Sequence, residues 1–140
     1  MVSRTYVAYY NHNLIGFFTL ITDIMRVKDL NDGDEWEDYP YKIYPAIKLA
    51  RLAVDCKYED NGVGTSLLYA ALGIALNVSE KVGCRYMTVD SKKEAIGFYK
   101  KKGFTMVEKT KNKDYPKFYL NLPVIADDLK PKESLDRFEK

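Results

Sequence analysis

The segment from Ala46 to Asp90 constrains the fold most, because it places a long helix between two apolar strands. From Val63 to about Val82, apolar side chains recur three and four residues apart, which predicts an amphipathic helix of roughly five turns. Ala46–Asp55 and Cys84–Asp90 have the length and apolar content of strands. A strand–helix–strand order joins two parallel neighbours through a helical crossover. The sequence therefore predicts a mixed sheet with a central parallel pair.

Shorter elements flank this unit on both sides. Thr5–Tyr10 and Leu14–Ile21, rich in β-branched and aromatic residues around a polar turn, predict a hairpin. Ser91 and Glu94 form a capping box that opens a short helix, AIGFYKKK, ending at Gly103. FTMVEK and KFYLNL then predict two closing strands, the second with Phe118, Leu120 and Leu122 on one face. The predicted α+β domain has the order β-β-β-α-β-α-β-β over residues 1–122, followed by a charged tail, residues 123–140, with a short helix from Ser134.

The strand Ala46–Asp55 changes the phase of its apolar side chains. They fall at Ile47 and Leu49 and then at Leu52 and Val54. A strand has a period of two, so a phase change means an extra residue, a bulge, or burial on both faces. A bulge separates a strand from its neighbour and leaves N–H and C=O groups unpaired, which is costly unless a ligand binds them. This strand is the first indication of a binding site.

Two glycines, Gly62 and Gly64, lie in the turn that opens the long helix. Helix N-termini present unpaired N–H groups and a partial positive charge, and glycine lets a pyrophosphate approach the backbone. Because amides would do the binding, the acidic residues Glu59 and Asp60 do not forbid an anion there. The alternative is that the glycines only turn the chain and pack the helix closely on the sheet. The turn by itself leaves both interpretations open.

Composition limits the class of protein and its partners. The 140 residues, 46% of them hydrophobic, fit one globular domain. Two cysteines, Cys56 and Cys84, have no disulfide or metal-ligand spacing, so we predict buried packing for both and no metal. No secretory signal or long apolar stretch is evident, and we therefore expect a cytoplasmic protein without a membrane partner.

Charge is unevenly distributed along the chain. Residues 29–38 hold six carboxylates and no basic residue, whereas residues 85–117 hold ten lysines or arginines against four acidic residues. Both stretches fit ordinary solvated faces. The functional alternative is that an anionic ligand meets the basic half while the acidic loop meets a cation.

Three stretches together resemble the GNAT superfamily of acetyl-CoA-dependent N-acetyltransferases: Leu52–Val54, the turn EDNGVG from Glu59 to Gly64, and AIGFYKKKGF from Ala95 to Phe104. The family's pyrophosphate loop reads Arg/Gln-x-x-Gly-x-Gly/Ala, and its later helix reads Ala-x-x-Phe-Tyr-x-x-x-Gly-Phe. The second pattern is matched in full, and the first departs at Glu59. The resemblance extends from about Arg4 to Leu122. ARLAVD and VDSKKEAIGFYKKKGF look most like acetyltransferase toxins of toxin–antitoxin systems.

The resemblance implies an N-acetyltransferase that moves the acetyl group of acetyl-CoA to a primary amine by direct attack in a ternary complex. It implies Tyr99 as the general acid on the CoA thiolate and the Val54 amide as the oxyanion donor. A thiol titrates near ~8.5 and a phenol near ~10, so Tyr99 is protonated at neutral pH and can donate. The implied cofactor-binding residues are Leu52, Ala53, Val54, Asp60, Asn61, Gly62, Val63, Gly64, Thr65, Asp90, Ala95, Phe98 and Tyr99.

The acceptor and the base are less determined. The acidic loop, expected near the acceptor side, favours a small or peptidic amine and disfavours RNA. Aminoacyl-tRNA is the alternative acceptor, with lysines between Lys92 and Lys117 as phosphate contacts. The base remains open between ordered water and the titratable side chains Asp23, Glu80 and Asp90. At Glu59 a carboxylate near the phosphates predicts weaker acetyl-CoA binding unless it points to solvent or pairs with Lys57.

Members of the superfamily usually carry a strand and two helices before the hairpin, whereas this sequence starts at the hairpin. We expect an upstream piece or a partner subunit to cover that side, and we predict a homo-oligomer. A non-catalytic acyl-CoA-binding or regulatory module, and a nucleic-acid-binding module without chemistry, stay open as alternatives. The association surface is predicted at Val7, Tyr9, Leu14, Phe17 and Leu20.

Overall fold

The computed structural model describes residues 1–129, and its centre is a six-stranded mixed sheet in the order β1-β2-β3-β4-β6-β5. The β3–β4 pair is parallel and the other pairs are antiparallel. This arrangement confirms the predicted α+β class and element order. The strands are β1 Arg4–Tyr10, β2 Asn13–Arg26, β3 Ile43–Val54, β4 Tyr86–Asp90, β5 Thr105–Met106 and β6 Lys117–Asn121; the helices are α1 Val63–Lys81, α2 Ile96–Lys101 and α3 Leu122–Leu129.

The β1–β2 hairpin turns at Asn11 and His12, whose φ angles are +47° and +64°. A two-residue hairpin turn whose twist matches that of the flanking strands requires positive φ at both central residues. His12 is exposed at the tip of the turn. Beyond the hairpin, β2 continues to Arg26 and pairs with β3 along nearly its whole length, so both strands are longer than predicted.

The predicted irregularity of β3 is a bulge. Thr19 of β2 pairs with Arg51 while its neighbour Leu20 pairs with Leu49, so Ala50 is the extra residue. On its other side, β3 pairs with β4 only from Ala46 to Lys48. The remainder of β3 has no β4 partner, and the two central strands diverge there.

Each face of the sheet has its own apolar cluster. On one face, α1 buries Leu67, Leu68, Ala71, Leu72 and Ala75 against the sheet. The predicted apolar face of β6 is confirmed on this side, since Phe118, Leu120 and Leu122 are all buried. On the opposite face, the loop between β2 and β3 covers a second cluster, which contains Met25, Leu30, Tyr44, Ala46, Tyr86, Val107 and Tyr119.

Helix α1 is long and apolar enough to cross a membrane when judged by length and composition only. One of its faces nevertheless packs on the sheet, as a core helix does. Both glycines at its start and Gly83 just after its end lie where the sequence places the helix boundaries.

The predicted capping box at Ser91 is wrong. The Ser91 hydroxyl donates to the carbonyl of Lys92 at 2.7 Å, and its N–H donates to Pro116. Ser91 is buried and follows β4 directly, and its side chain makes no capping hydrogen bond to the turn that precedes α2. The chain enters α2 through the 3-10 turn Lys93–Ala95, which has no side-chain cap.

Other local predictions also need correction. The strand FTMVEK is reduced to Thr105–Met106, because a 3-10 turn follows at Glu108–Thr110. Cys56 is exposed in a 3-10 turn after β3, whereas Cys84 is partly buried. Residues 122–129 form α3, with Ile125 packed on the core. The helix predicted from Ser134 lies outside the described residues, and the domain boundary stays a prediction.

Candidate functional site

Two cavities adjoin where β3 and β4 diverge. The larger, of about 560 Å³, lies between the end of β3 and the start of α1, and the smaller, of about 300 Å³, lies in the gap between the two strands. Leu52, Ala95 and Tyr99 line both. A molecule in the larger cavity can therefore reach the smaller one past Tyr99.

The turn before α1 lines the larger cavity with backbone. Asp60 and Gly62 have φ angles of +65° and +77°, and no side chain caps the helix at Gly62. The Ser66 N–H donates to the Gly62 carbonyl at 3.1 Å and begins the helical ladder. The three preceding amides, of residues 63–65, have no acceptor within the helix, so they point out of its N-terminus. Such a terminus at a cavity wall is suited to an anion.

The two glycines of this turn serve different purposes. At Gly62 an added Cβ would meet nothing within 4 Å, but the positive φ disfavours any L side chain. At Gly64 an added Cβ would lie 3.7 Å from Val54 Cγ2 and 3.9 Å from Phe98 Cζ, in ordinary contact. The fold therefore does not require glycine at position 64, whereas Gly62 is needed for its backbone conformation.

The end of β3 directs backbone groups into the gap. The Asp55 N–H donates to the carbonyl of Ile15 on β2 at 2.8 Å. Successive N–H groups of a strand point in opposite directions, so the Val54 N–H points away from β2 and toward the gap. The same alternation directs the Leu52 N–H there. This geometry fits the predicted backbone roles of Leu52 and Val54.

Tyr99, on α2, lies between the two cavities. Its ring centroid is 5.5 Å from that of Phe104 and 6.3 Å from that of Phe118, and only 5% of the residue is exposed. Burial raises the pKa of Tyr99 from its ordinary 10 to about 12. The phenol is therefore protonated throughout the neutral range and is chemically able to donate a proton.

A network of charged side chains lies on the face of the sheet opposite α1. Asp23 accepts a hydrogen bond from Thr88 at 2.6 Å and lies 3.5 Å from the Lys117 ammonium. Lys48 forms an ion pair with Asp90 at 2.8 Å. Burial opposes ionisation of Asp23, but the Thr88 hydrogen bond and the two lysines outweigh it and lower the pKa of that carboxyl. A lowered pKa makes Asp23 a poor base.

The other two base candidates differ in position. Glu80 is exposed in the last turn of α1, about 24 Å along the helix axis from Gly64 at 1.5 Å per residue. Asp90 lines the smaller cavity, together with Arg51 and Lys92. Within residues 1–129, no group of three His, Cys, Asp or Glu side chains is placed to hold a metal ion.

The acidic loop, residues 29–38, lies over the face of the sheet opposite α1, and its predicted place at the acceptor side stays a prediction. The Asp34 carboxylate accepts a hydrogen bond from the Tyr119 phenol, and its carbonyl accepts one from Tyr86 at 3.3 Å. Asp29 lies 4.0 Å from Lys109. These contacts hold the loop over the second apolar cluster, and no residue from 29 to 38 lines either cavity.

Most residues singled out in the sequence meet at this cleft, although their roles stay predictions. Asn61 lines neither cavity. Several lining residues give no signal in the sequence, because only the divergence of β3 and β4 brings them together. The larger cavity is lined by the predicted Leu52, Val54, Asp60, Gly62, Val63, Gly64, Thr65, Ala95, Phe98 and Tyr99, and by Glu59 and the unpredicted Glu94. The smaller cavity adds the predicted Ala53 and Asp90 and the unpredicted Phe17, Leu49, Ala50, Arg51, Val89, Ser91 and Lys92.

Comparison with protein families gives a match to the acetyltransferase (GNAT) domain over residues 2–106. A tRNA-acetylating toxin of Mycobacterium tuberculosis (strain ATCC 25618 / H37Rv) is 32% identical over 98 residues. That alignment covers 69% of this chain and 58% of the toxin, so the chain matches less than two thirds of its relative's length.

Three solved structures share the fold. AtaT complexed with acetyl-methionyl-tRNAfMet has a TM-score of 0.80 at 22% identity, covering 92% of this chain and 76% of AtaT. AtaTR bound with AcCoA has a TM-score of 0.74 at 23% identity, with coverages of 92% and 76%. A tyrosine-to-phenylalanine mutant of KacT has a TM-score of 0.79 at 21% identity, with coverages of 91% and 76%. At these identities the likeness concerns the fold.

Proposed function

This chain belongs to the GNAT acetyltransferase family, and we propose on that basis that it moves the acetyl group of acetyl-CoA to a primary amine. The observation that carries the proposal is the position of Tyr99, which lines both the cavity with the helix N-terminus and the gap between β3 and β4. A donor held at α1 would thus present its reacting end beside a protonated phenol. The acceptor would enter through the gap.

Each part of the cleft supports one step of this reaction. The amides of Val63, Gly64 and Thr65 are suited to the pyrophosphate. The free edge of β3 is suited to the amide-bearing arm of CoA, and the Val54 N–H can stabilise negative charge on the thioester oxygen. When the amine nitrogen attacks the carbonyl carbon and the C–S bond breaks, Tyr99 can protonate the leaving thiolate.

The test is thiol release from acetyl-CoA in the presence of a panel of primary amines. The panel contains a lysine-bearing peptide, a methionine-terminated peptide, spermidine and aminoacylated tRNA, each with a no-amine control. Amine-dependent release together with the matching mass increase of the amine would support the proposal. Acetyl-CoA binding without release on any of these amines would instead support a non-catalytic acyl-CoA-binding module.

Aminoacyl-tRNA is a second candidate acceptor, and specific observations favour it. The acidic loop that argued against RNA does not line the cleft, whereas Arg51 and Lys92 do. The 32% identical relative is named a tRNA-acetylating toxin. Acetylation of charged but not uncharged tRNA, weakening steeply with salt, would support this acceptor over a small or peptidic amine.

We also propose that the chain associates with itself. β1 is an edge strand, and Val7, Tyr9 and Leu14 of the hairpin are 53%, 64% and 48% exposed. Leu20, which the sequence assigned to this surface, is buried instead. Exposed apolar side chains on an unpaired edge favour association. Sedimentation should show a dimer or larger species that Val7→Lys dissociates, and a monodisperse monomer would contradict this.

A further inference from the structure

Lys48 and Asp90 face each other at the point where β3 and β4 diverge. The Lys48 Nζ lies 2.8 Å from Asp90 Oδ2, and the two side chains are 22% and 43% exposed. Among residues 1–129, Asp90 is the one carboxylate that lines the smaller cavity, which Tyr99 also lines. Building on the proposed function, we propose that Asp90 anchors the ammonium group of the acceptor, which passes one proton to water before its nitrogen attacks, and that Lys48 leaves Asp90 for Asp23 when the acceptor binds.

The direction from which an acceptor would arrive follows from the strands. Lys48 pairs with Thr88, and Asp90 follows two residues later, so all three side chains project from the face opposite α1. The intervening Met87 and Val89 pack in the α1 cluster. An amine therefore reaches Asp90 from the face opposite the glycine turn. Donor and acceptor approach from opposite faces of the sheet and meet at Tyr99.

A second carboxylate, that of Asp23, also interacts with the charge of Lys48. Burial alone would lower the pKa of Lys48, but its hydrogen bond and charge interaction with Asp90, aided by the charge of Asp23, raise it above the ordinary value. Lys48 is therefore charged beside Asp90, and Asp23 is a second carboxylate that interacts with that charge. Its side chain is flexible, and its ammonium is a point charge that needs no fixed donor geometry. An incoming ammonium can thus replace Lys48 at Asp90 while Lys48 keeps Asp23 as a carboxylate partner.

Asp23 is unsuited to the anchoring role itself. Its side chain is 18% exposed, and the same Oδ2 faces both the Thr88 hydroxyl and the Lys117 ammonium. It does not line either cavity. These contacts hold the Asp23 carboxylate within the network of charged side chains, whereas Asp90 lines the smaller cavity.

The surroundings of Asp90 also define the class of amine. Arg51 and Lys92 line the same cavity, so a second positive charge near the reacting nitrogen would be repelled. The site fits a primary amine that carries one ammonium group, with neutral or anionic groups beside it. A polyamine such as spermidine fits poorly.

The experiment measures KM for the best amine of the panel at saturating acetyl-CoA, in variants that should change this KM in opposite directions. Asp90→Asn should raise the amine KM about tenfold, and Asp90→Glu should recover most of the loss. A rise in KM for acetyl-CoA instead would overturn the anchoring role in favour of the cofactor-binding role that the resemblance implies. Lys48→Met should lower the amine KM roughly two- to fivefold, because it removes the competing cation. Asp38→Asn is the charge-matched control, since Asp38 is exposed, lines neither cavity, and has a φ of +63° that asparagine tolerates.

The outcomes separate this inference from the function on which it rests. If the parent protein acetylates amines but Asp90→Asn leaves the amine KM unchanged, only the anchoring role is overturned. If Lys48→Met raises the amine KM as Asp90→Asn does, the ion pair is merely structural and the exchange is overturned. If Asp90→Asn does not fold, Lys48→Met is the test: a lower amine KM supports the anchoring role of Asp90, and a higher amine KM overturns it. If no amine supports thiol release in the parent protein, the proposed function fails and this inference falls with it.

Discussion

Lys48 and Thr88 are the last partners of the parallel β3–β4 ladder, and the cleft opens directly beyond them. Two residues later, Ala50 bulges out of the antiparallel β2–β3 ladder. Because the bulge adds one residue, each later side chain of β3 points to the face opposite to the one it would have in a regular strand. Leu52 therefore packs on the α1 side, and Arg51 lies at the smaller cavity. The divergence and the bulge together produce a strand edge that is free on one side.

Deleting Ala50 should therefore remove the cleft. A strand without the extra residue must place either Leu49 or Leu52 on the wrong face of the sheet. We expect a loss of at least about 3 kcal/mol in the free energy of unfolding, and no measurable acetyl-CoA binding by calorimetry. Ala50→Gly keeps the residue count and is the control. A deletion variant that binds acetyl-CoA as the parent does would contradict this account of β3.

Replacing Tyr99 with phenylalanine should separate binding from chemistry. The ring packing against Phe104 and Phe118 is kept, so the fold and the acetyl-CoA affinity should change little. Loss of a general acid should reduce kcat for amine-dependent thiol release about 10²-fold or more. Tyr69→Phe, at a position 59% exposed on α1, is the matched control. Equal kcat values in the Tyr99 variant and the parent would exclude the acid role.

The raised pKa of Tyr99 predicts a specific alkaline behaviour. Because its pKa is about 12 in the fold and near 10 when unfolded, the folded state holds a proton that the unfolded chain releases. The stability due to the protonated phenol is thus complete below pH 10 and is lost as pH rises toward 12. Denaturant titrations should show a steeper alkaline decline for the parent than for Tyr99→Phe. Catalysis should not decline below about pH 10 through ionisation of Tyr99; a Tyr99-dependent decline at lower pH would contradict the assignment.

The two glycines of the turn should respond differently to alanine. Gly62→Ala forces a side chain into a left-handed conformation and should cost about 1–2 kcal/mol of stability. Gly64→Ala meets only ordinary contacts, so the unfolding free energy should stay close to that of the parent. Its methyl group would nevertheless stand between the amides and the pyrophosphate, and acetyl-CoA affinity should fall at least about tenfold. Unchanged affinity in Gly64→Ala would show that the turn only bends the chain.

The features that sequence could predict here are those with a local cause. The phase change in β3, the glycine turn and the periodicity of α1 each lie within one continuous stretch, and each indicates its own structure. The predicted cap at Ser91 failed because Pro116, distant in sequence, engages the Ser91 backbone. The contacts of the acidic loop could not be predicted either, since phenols 52 and 85 residues away hold Asp34.

The ion pair of Lys48 with Asp90 belongs to the same class of long-range feature. It depends on the parallel register, in which Lys48 lies beside Thr88. Sequence predicts that such strands pair, but a shift of one residue would move one of the two side chains to the other face. Arg51 is placed at the cavity by the bulge in the same way.

Glu59 should be the residue at which donor binding can be improved. It is exposed, lines the larger cavity, and forms no ion pair among the described residues, Lys57 included. Its charge therefore faces the proposed phosphate position without a compensating cation. Glu59→Gln should tighten acetyl-CoA binding roughly two- to fivefold, the range expected for a solvent-screened charge. The gain should shrink as ionic strength rises, because salt shortens the reach of the carboxylate.

A matched control distinguishes this local repulsion from a change in net charge. Glu37→Gln removes one carboxylate from the acidic loop, which does not line the cleft, and should leave acetyl-CoA affinity unchanged. Calorimetric titrations with acetyl-CoA and with dephospho-CoA would test which part of the bound ligand lies near Glu59. Because Glu59 lies at the turn proposed to hold the pyrophosphate, which both ligands carry, the gain should be the same for each. No gain from Glu59→Gln, or an equal gain from Glu37→Gln, would mean that the pyrophosphate does not lie at this turn.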